Sequence, residues 1–288
     1  MTDSAPSRAV KVFGAILAPT TVLTALLFYF GTKHAYWFCQ WFGVPYTTLG
    51  LSAQDYLIRS ADGMFVPLTA VAATGLVLLW AFRLLESRLA PQSWARLRRR
   101  LVPVAVVLGV LLVGAGSAGV AHPPLMYRWP GVPGLCVAVG FLLFPLAERL
   151  HPGERGRTGA VPVVQWVLTF VLVTVGLFWA VTDYSAAVGQ ARGYEYEVAL
   201  PTMPVVVVYS TKDLEVRAPG VTAVRCADPD TAYLFRYNGF VLVLQSAGHY
   251  FLLPRGWNRR DGAALLLPRS SDTRLEFYPD GATPPDRC

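Results

Sequence analysis

The chain has 288 residues, 54% of them hydrophobic and only 15% charged, with a mean hydropathy of +0.43. This is too apolar for an average soluble domain and leads to a search for runs of about 20 apolar residues, the length that crosses a hydrocarbon core roughly 30 Å thick. The formal net charge of +7 would ordinarily suggest a nucleic-acid partner, but the placement of the charges along the chain argues against that class.

Five spans are predicted. The first is Val12 to Phe30; no small-residue cleavage site follows at the usual distance, so it is expected to stay as an anchor. The others are Phe65 to Phe82, Leu101 to Val120, Val132 to Leu146 and Val161 to Val181. The fourth is the shortest, bracketed by Pro133 and Pro145, and Pro162 opens the fifth, where a missing N–H costs nothing. In the third span Gly114, Gly116 and Gly119 lie in a run of small residues that would let two helix backbones approach closely.

Between the first two spans lies an aromatic loop, residues 31–64. Nine of the nineteen residues from Phe28 to Tyr46 are Phe, Tyr or Trp. The first helix is expected to continue past the hydrocarbon to Phe42, with Gly43 and Pro45 ending it, and Ser52 with Asp55 has the spacing of a capping box. Aromatic belts anchor helices at the membrane surface. The surplus here marks Trp37, Trp41, Phe42 and Tyr46 as candidate contacts between the helices and whatever is folded on the same side.

Basic residues remain cytoplasmic during insertion. With the N-terminus inside, the inner segments hold Arg8, Lys11, Arg83, Arg88, Arg96, Arg98, Arg99, Arg100, Arg149, Arg155 and Arg157, and the two outer loops only Lys33, Arg59 and Arg128. The inner segments then carry the whole excess of +7, so the basic balance is a topology signal and no nucleic-acid partner is implied. An odd span count places everything beyond about Asp183 outside.

From Tyr184 to Val198 the fifth helix is expected to continue, until Pro201 and Pro204 stop it; residues 185–203 form a juxtamembrane helix and linker. Short apolar runs follow: Val205 to Tyr209, Val221 to Cys226, Tyr233 to Tyr237, Phe240 to Gln245, His249 to Leu253, Ala263 to Leu267 and Thr273 to Tyr278. Asn238-Gly239 is expected to be a two-residue hairpin turn, with Ser246-Ala247-Gly248 closing the next. Phe240 to Leu244 and Tyr250 to Leu253 show no polar alternation, so both faces of these strands should be covered; a second sheet layer, the bundle's outer surface or another subunit would each serve.

Cys226 and Cys288 both fall in this outer region, where a disulfide is permitted; closing that loop would stabilise the fold by roughly 4 kcal/mol in the chain-entropy model. Cys39 is a rival partner, and Cys136 in the fourth span is expected to be packing. The four histidines show no ligand spacing, Asp228 and Asp230 read as turn residues, and Ser246 near His249 lacks an orienting acid. No catalytic, cofactor or metal residues are therefore assigned, and no cofactor is expected.

The segments YFGTKHAYWFCQWFGVPYTTLGLSAQDYLIRSADGMFVPL, PVVVVYS, YLFRYNG and GHYFLLPRGW resemble a family of multi-span membrane proteins from actinobacteria with no assigned activity. The resemblance implies a plasma-membrane location and no catalytic residues. The expected fold is a membrane α-helical bundle of five transmembrane helices, N-in and C-out, over residues 1–184, followed by a small all-β extracytoplasmic domain over 204–288. The expected role is a membrane-anchored extracellular domain that binds, senses or scaffolds. Its partners would be the lipid bilayer and either a second copy or a cell-envelope protein. A channel or transporter with an outer loop at 43–52 is the alternative, and a membrane-embedded enzyme ranks below it.

Overall fold

A computed structural model describes residues 5–88, 91–121, 129–150, 160–228, 230–282 and 284, with the backbone alone described for 5–19. The helices are α1 (Ala5–Trp41), α2 (Ala53–Arg88), α3 (Pro91–Ala121), α4 (Val132–Leu150) and α5 (Ala160–Ala199), with short 3-10 turns at Tyr46–Leu49 and Leu200–Thr202. The strands are β1 (Val205–Ser210), β2 (Thr222–Arg225), β3 (Phe235–Ser246), β4 (His249–Pro254), β5 (Leu265–Pro268) and β6 (Thr273–Tyr278). The chain divides into two compact units that do not follow chain order. One is helical, Met1–Lys33 with Leu57–Ala187; the other joins His34–Tyr56 to Val188–Cys288 and contains the sheet.

Four helices among the described residues are long and apolar enough to cross a membrane: Gly63–Arg88, Gln92–Gly119, Val132–Leu150 and Val163–Thr202. Five spans were expected. The expected first span falls within α1, a continuous 37-residue helix, but much of it precedes the described side chains. The capping box at Ser52 opens the helix of the second span itself, since α2 runs unbroken for 36 residues from Ala53 with Pro67 inside it. Likewise α5 is one helix of 40 residues, the juxtamembrane segment included.

Within the helical unit, large apolar side chains point outward: Leu76, Trp80, Leu111 and Val163 are all more than 60% exposed. Water would not tolerate this surface, whereas lipid offers no penalty. By the same logic helices in lipid associate through small residues that bring backbones close. A Cβ added at Gly134 of α4 would lie 2.3 Å from the Ala180 nitrogen of α5, and one at Gly176 of α5 would lie 2.8 Å from the Ala138 nitrogen of α4. The crossing is therefore Gly134-x-x-x-Ala138 against Gly176-x-x-x-Ala180. On the other side of α4, Gly116 of α3 sits against Pro133 and Val137, and Gly109 against Gly140. Gly119 is buried as well, but Gly114 is exposed, with nothing near its missing side chain. The packing face of α3 is thus Gly109, Gly116 and Gly119, and Gly114 takes no part in this contact: helical spacing turns it about 140° from Gly109's side, through five steps of about 100° each.

Polar bonds finish this unit. Arg98 of α3 donates to the Leu150 and Arg149 carbonyls at 3.2 and 3.3 Å, satisfying acceptors that the end of α4 leaves open. At the opposite end the Tyr29 and Thr182 hydroxyls pair at 3.1 Å, and the Tyr184 hydroxyl donates to the Gly63 carbonyl at 3.2 Å.

In the other unit the six strands form one antiparallel sheet in the order β5-β4-β3-β1-β6, with β2 paired to the first half of β3. Asn238-Gly239 is not a hairpin turn. The two runs expected on either side of it are one 12-residue strand, and the pair absorbs a register shift against β1, where Val206 faces Phe240 but Val208 faces Tyr237. A bulge uses the same freedom at positive φ that a tight turn needs, and Gly239 (φ 103°) passes so close to the Gly220 carbonyl that no side chain fits. Ala247-Gly248 does turn the β3–β4 hairpin, both residues at positive φ, with Ser246 facing His249.

The two apolar strands are covered on both faces, and side chains alternate between two cores. Val241, Leu244, Phe251 and Leu253 pack with Phe38, Cys39, Phe42, Val44, Leu49, Leu200 and Trp257. Phe240, Leu252, Val206, Val208, Tyr237 and Leu267 form the second core, closed by Leu214, Val216 and Val221 of the loop after β1. The first cover is the end of α1 with the loop that follows it; the second is the chain's own 211–221 segment.

Candidate functional site

Two surfaces of the sheet unit gather its reactive and polar side chains. The first is the aromatic mount. α1 ends at Trp41 because Gly43 takes a left-handed conformation, φ 72°. Phe42 then stands among Phe38, Trp257, Phe251 and Tyr196, with ring centroids 5.3, 5.0, 6.1 and 6.4 Å away, all edge-on. Such pairs contribute about 0.5–1.5 kcal/mol each beyond area burial. The Trp41 indole N–H donates to Glu197 at 2.8 Å while the Arg259 guanidinium covers its ring at 4.3 Å. Trp37 lies against Gly189 of α5, and Tyr46 packs onto the apolar cluster and meets Tyr36 edge-on at 5.8 Å.

Of the four aromatic residues singled out from the sequence, Phe42 reaches the sheet itself, Trp41 reaches α5 and the loop after β4, Trp37 reaches α5, and Tyr46 packs onto the cluster. Phe38, Val44, Leu49, Tyr196 and Trp257 belong to the same cluster and were not anticipated. The signal for Leu49 lay in residues 43–52, the outer loop of the alternative channel reading. There Tyr46–Leu49 is a 3-10 turn with Leu49 wholly buried, and Gly50 (φ 55°) meets the Ala247 side chain at the tip of the hairpin.

The second surface is a strip of tyrosine and arginine crossing β3, β1 and β6. Register places Tyr209 between Arg236 and Arg274. The Arg274 guanidinium lies 4.9 Å from the Tyr209 ring and 5.7 Å from that of Tyr233, and it also pairs with Glu276. The Tyr278 hydroxyl donates to Glu276 at 2.9 Å. Burial alone would push the Glu276 carboxyl up, but hydrogen bonds from Tyr278, Arg274 and Tyr209 outweigh it and hold the group below its ordinary range. Burial first, and then the Glu276 charge, raise the Tyr209 phenol. Arg236 is buried, and its Nε and one terminal nitrogen have no acceptor among the described residues.

Behind the second core, the Tyr237 hydroxyl accepts from the Leu214 N–H at 2.7 Å and donates to Asp213. Burial, then the Asp213 hydrogen bond, push this phenol up to about 12, and the same bond lowers the Asp213 carboxyl. These two groups pin the 211–217 segment over the sheet.

Cys226 is disulfide-bonded, whereas Cys39 and Cys136 form no disulfide; Cys288 lies outside the described residues. Asp228 accepts from the Asp230 N–H at 2.9 Å, a side-chain turn, and His249 faces the Ala247 carbonyl of its own turn. Among the described residues no three His, Cys, Asp or Glu side chains are grouped to hold a metal. Comparison with family models, with curated proteins and with solved structures gives no match.

Proposed function

We propose that this is an integral membrane protein whose helices hold a β domain on the cell exterior, where the domain binds, senses or scaffolds a cell-envelope partner. The observation that carries the reading is the double-sided sheet: one of its faces is filled by the last turns of α1 and the loop behind them, not by a second sheet layer. A sheet whose core is completed by the end of α1 folds as one body with that helix end, as a membrane-held binding or scaffolding domain requires.

Three features support the exterior side. The basic residues Arg83, Arg88, Arg96, Arg98, Arg99, Arg100 and Arg149 all lie at the ends of α2, α3 and α4 expected to be cytoplasmic. Counting Val12–Phe30 within α1 as a span makes five, with N-in and C-out. The disulfide at Cys226 suits an oxidising compartment. The likeness to an actinobacterial plasma-membrane family belongs to the same proposal. The exposed part of the strip, Arg274 with the half-buried Tyr233 over the buried Tyr209, is the surface assigned to the partner, since tyrosine and arginine dominate binding hot spots.

A compartment-specific reporter fused after Cys288 is expected to be active outside only; activity in the cytoplasm would overturn the sidedness. A photoreactive residue replacing Tyr233 in whole cells is expected to trap a discrete envelope component, and the absence of any adduct there, with the reporter outside, would overturn the binding role alone.

A further inference from the structure

The face of α3 that turns away from α4 combines two things its packing does not use. Pro103, Val104, Val107, Leu108 and Leu111 line an open apolar groove of about 400 Å³, and Val104, Val107 and Leu111 are each more than half exposed. Directly below it on the same helical face come Arg100 and Arg96, both exposed. The spacing 96, 100, 103/104, 107, 111 follows one stripe of a helix with about 3.6 residues per turn. Arg98, two residues from each, lies on the far side with Gly109 and Gly116 and is spent on the end of α4. The basic cluster therefore splits: one arginine is structural, and two head an apolar channel.

We propose that this stripe is a binding site for an anionic phospholipid, with Arg96 and Arg100 holding the headgroup phosphate and the Pro103–Leu111 groove taking an acyl chain. Charge complementarity and level select the occupant. Trp94, two residues before Arg96, packs edge-on against Phe82 of α2 at 5.3 Å, and a tryptophan beside arginines marks the headgroup depth. From there the groove descends about 12 Å into the hydrocarbon, at 1.5 Å per residue. Proline at 103 helps to shape it, because its ring displaces the helix's own i−4 hydrogen bond at Arg99. The site rests on reading α3 as a membrane span; it is independent of what the sheet binds.

The test uses the full chain purified in a mild detergent and titrated separately with phosphatidylglycerol and phosphatidylcholine, read by native mass spectrometry. Phosphatidylglycerol should be retained roughly thirtyfold more tightly, the advantage two surface arginines give near a membrane. Arg96→Gln with Arg100→Gln should bring the two lipids within a few-fold of each other. Val107→Trp, which fills the groove and leaves both charges, should weaken both lipids. Equal retention of the two lipids by the natural chain would overturn the proposal, as would undiminished selectivity in the double arginine variant. Resistance of the chain to alkaline extraction from membranes is scored in parallel, so that a failed membrane reading is seen separately from a failed lipid site. Circular dichroism on each variant confirms that helicity is kept.

Discussion

Where α4 crosses α5, Gly134 and Ala180 approach so closely that a single added methyl would meet a backbone nitrogen at 2.3 Å. Where the end of α1 meets the sheet, Phe42 instead stands among four aromatic rings. The difference follows from the solvent each region is built for. In lipid, burying a leucine gains nothing over leaving it exposed, so helices hold through close backbone approach and dispersion. In water, the gain scales with apolar area removed, roughly 25 cal/mol per Å², so the largest rings are placed at the centre. The two units should therefore fail in opposite ways, one by adding atoms and the other by removing them.

The largest effect is expected from adding atoms to the helical crossing. Gly134→Leu cannot be absorbed by a side-chain shift, because the obstacle is the backbone of α5, and the penalty should exceed the roughly 1–3 kcal/mol typical of core overpacking. Thermal unfolding in detergent should show α4 and α5 separated. Gly114→Leu, on the exposed side of α3, should leave the midpoint unchanged. A destabilised Gly114 variant beside a tolerated Gly134 variant would reverse the assignment of faces.

Removing atoms from the sheet's mount comes next. Phe42→Ala should cost about 3–5 kcal/mol, the usual range for deleting a buried aromatic ring, and should be read as faster proteolysis of residues 205–278 in the full chain. Trp41→Ala is half-buried at the start and loses mainly its bond to Glu197 and the Arg259 stack, so about 2 kcal/mol is expected. If Trp41→Ala proved the more damaging, the polar rim rather than the ring cluster would be the true joint.

Tyr237→Phe should be milder again. It leaves the Leu214 N–H without its acceptor, at about 1–2 kcal/mol, and frees the 211–217 segment from the second core. The pH dependence has a defined sign. A phenol raised from 10.0 to about 12 stabilises the fold fully below pH 10, and this contribution is lost as pH rises through 12. Asp213, held low by the same bond, contributes above the ordinary carboxylate range and loses that contribution as pH falls through its depressed value. Tyr237→Phe should therefore flatten the stability profile at both ends, as measured by denaturant midpoints across pH.

What could be read beforehand divides along the same physical line. Long apolar runs announce helices because length and hydropathy are one-dimensional, and α3, α4 and α5 fall where the runs do. The small-residue patch announced close packing too, but a run of small residues from Gly114 to Gly119 covers every side of a helix; only the position of α4 selects Gly116 over Gly114 and adds Gly109. Asn238-Gly239 was misread because a hairpin turn and a bulge draw on the same positive-φ residues, and the choice depends on whether β1 lies alongside. The unalternated strands correctly required two covers. The aromatic surplus already marked Phe42, but that Phe38 and Leu49 would join it as one of the covers, some two hundred residues away in the chain, is a long-range pairing that no local pattern encodes.

The smallest expected effect concerns the one motif whose geometry was legible in full. Ser52 and Asp55 satisfy each other reciprocally at the start of α2. The Asp55 N–H donates to the Ser52 hydroxyl oxygen at 3.2 Å, and the Ser52 N–H donates to the Asp55 carboxylate at 2.8 Å. An acidic side chain in the first turn also faces the favourable end of the helix dipole. Ser52→Ala should cost about 1 kcal/mol, because the freed N–H groups at an exposed helix start turn to water at little expense. Ser52→Asn should recover most of that loss, since asparagine caps as well as serine. The comparison of regions predicts where the loss appears: in the sheet unit, to which Ser52 belongs, and not in the α4–α5 crossing. A proteolysis rate for residues 205–278 that rises with Ser52→Ala and falls back with Ser52→Asn would place the start of α2 in the same cooperative unit as the sheet. A change confined to helical unfolding would detach it.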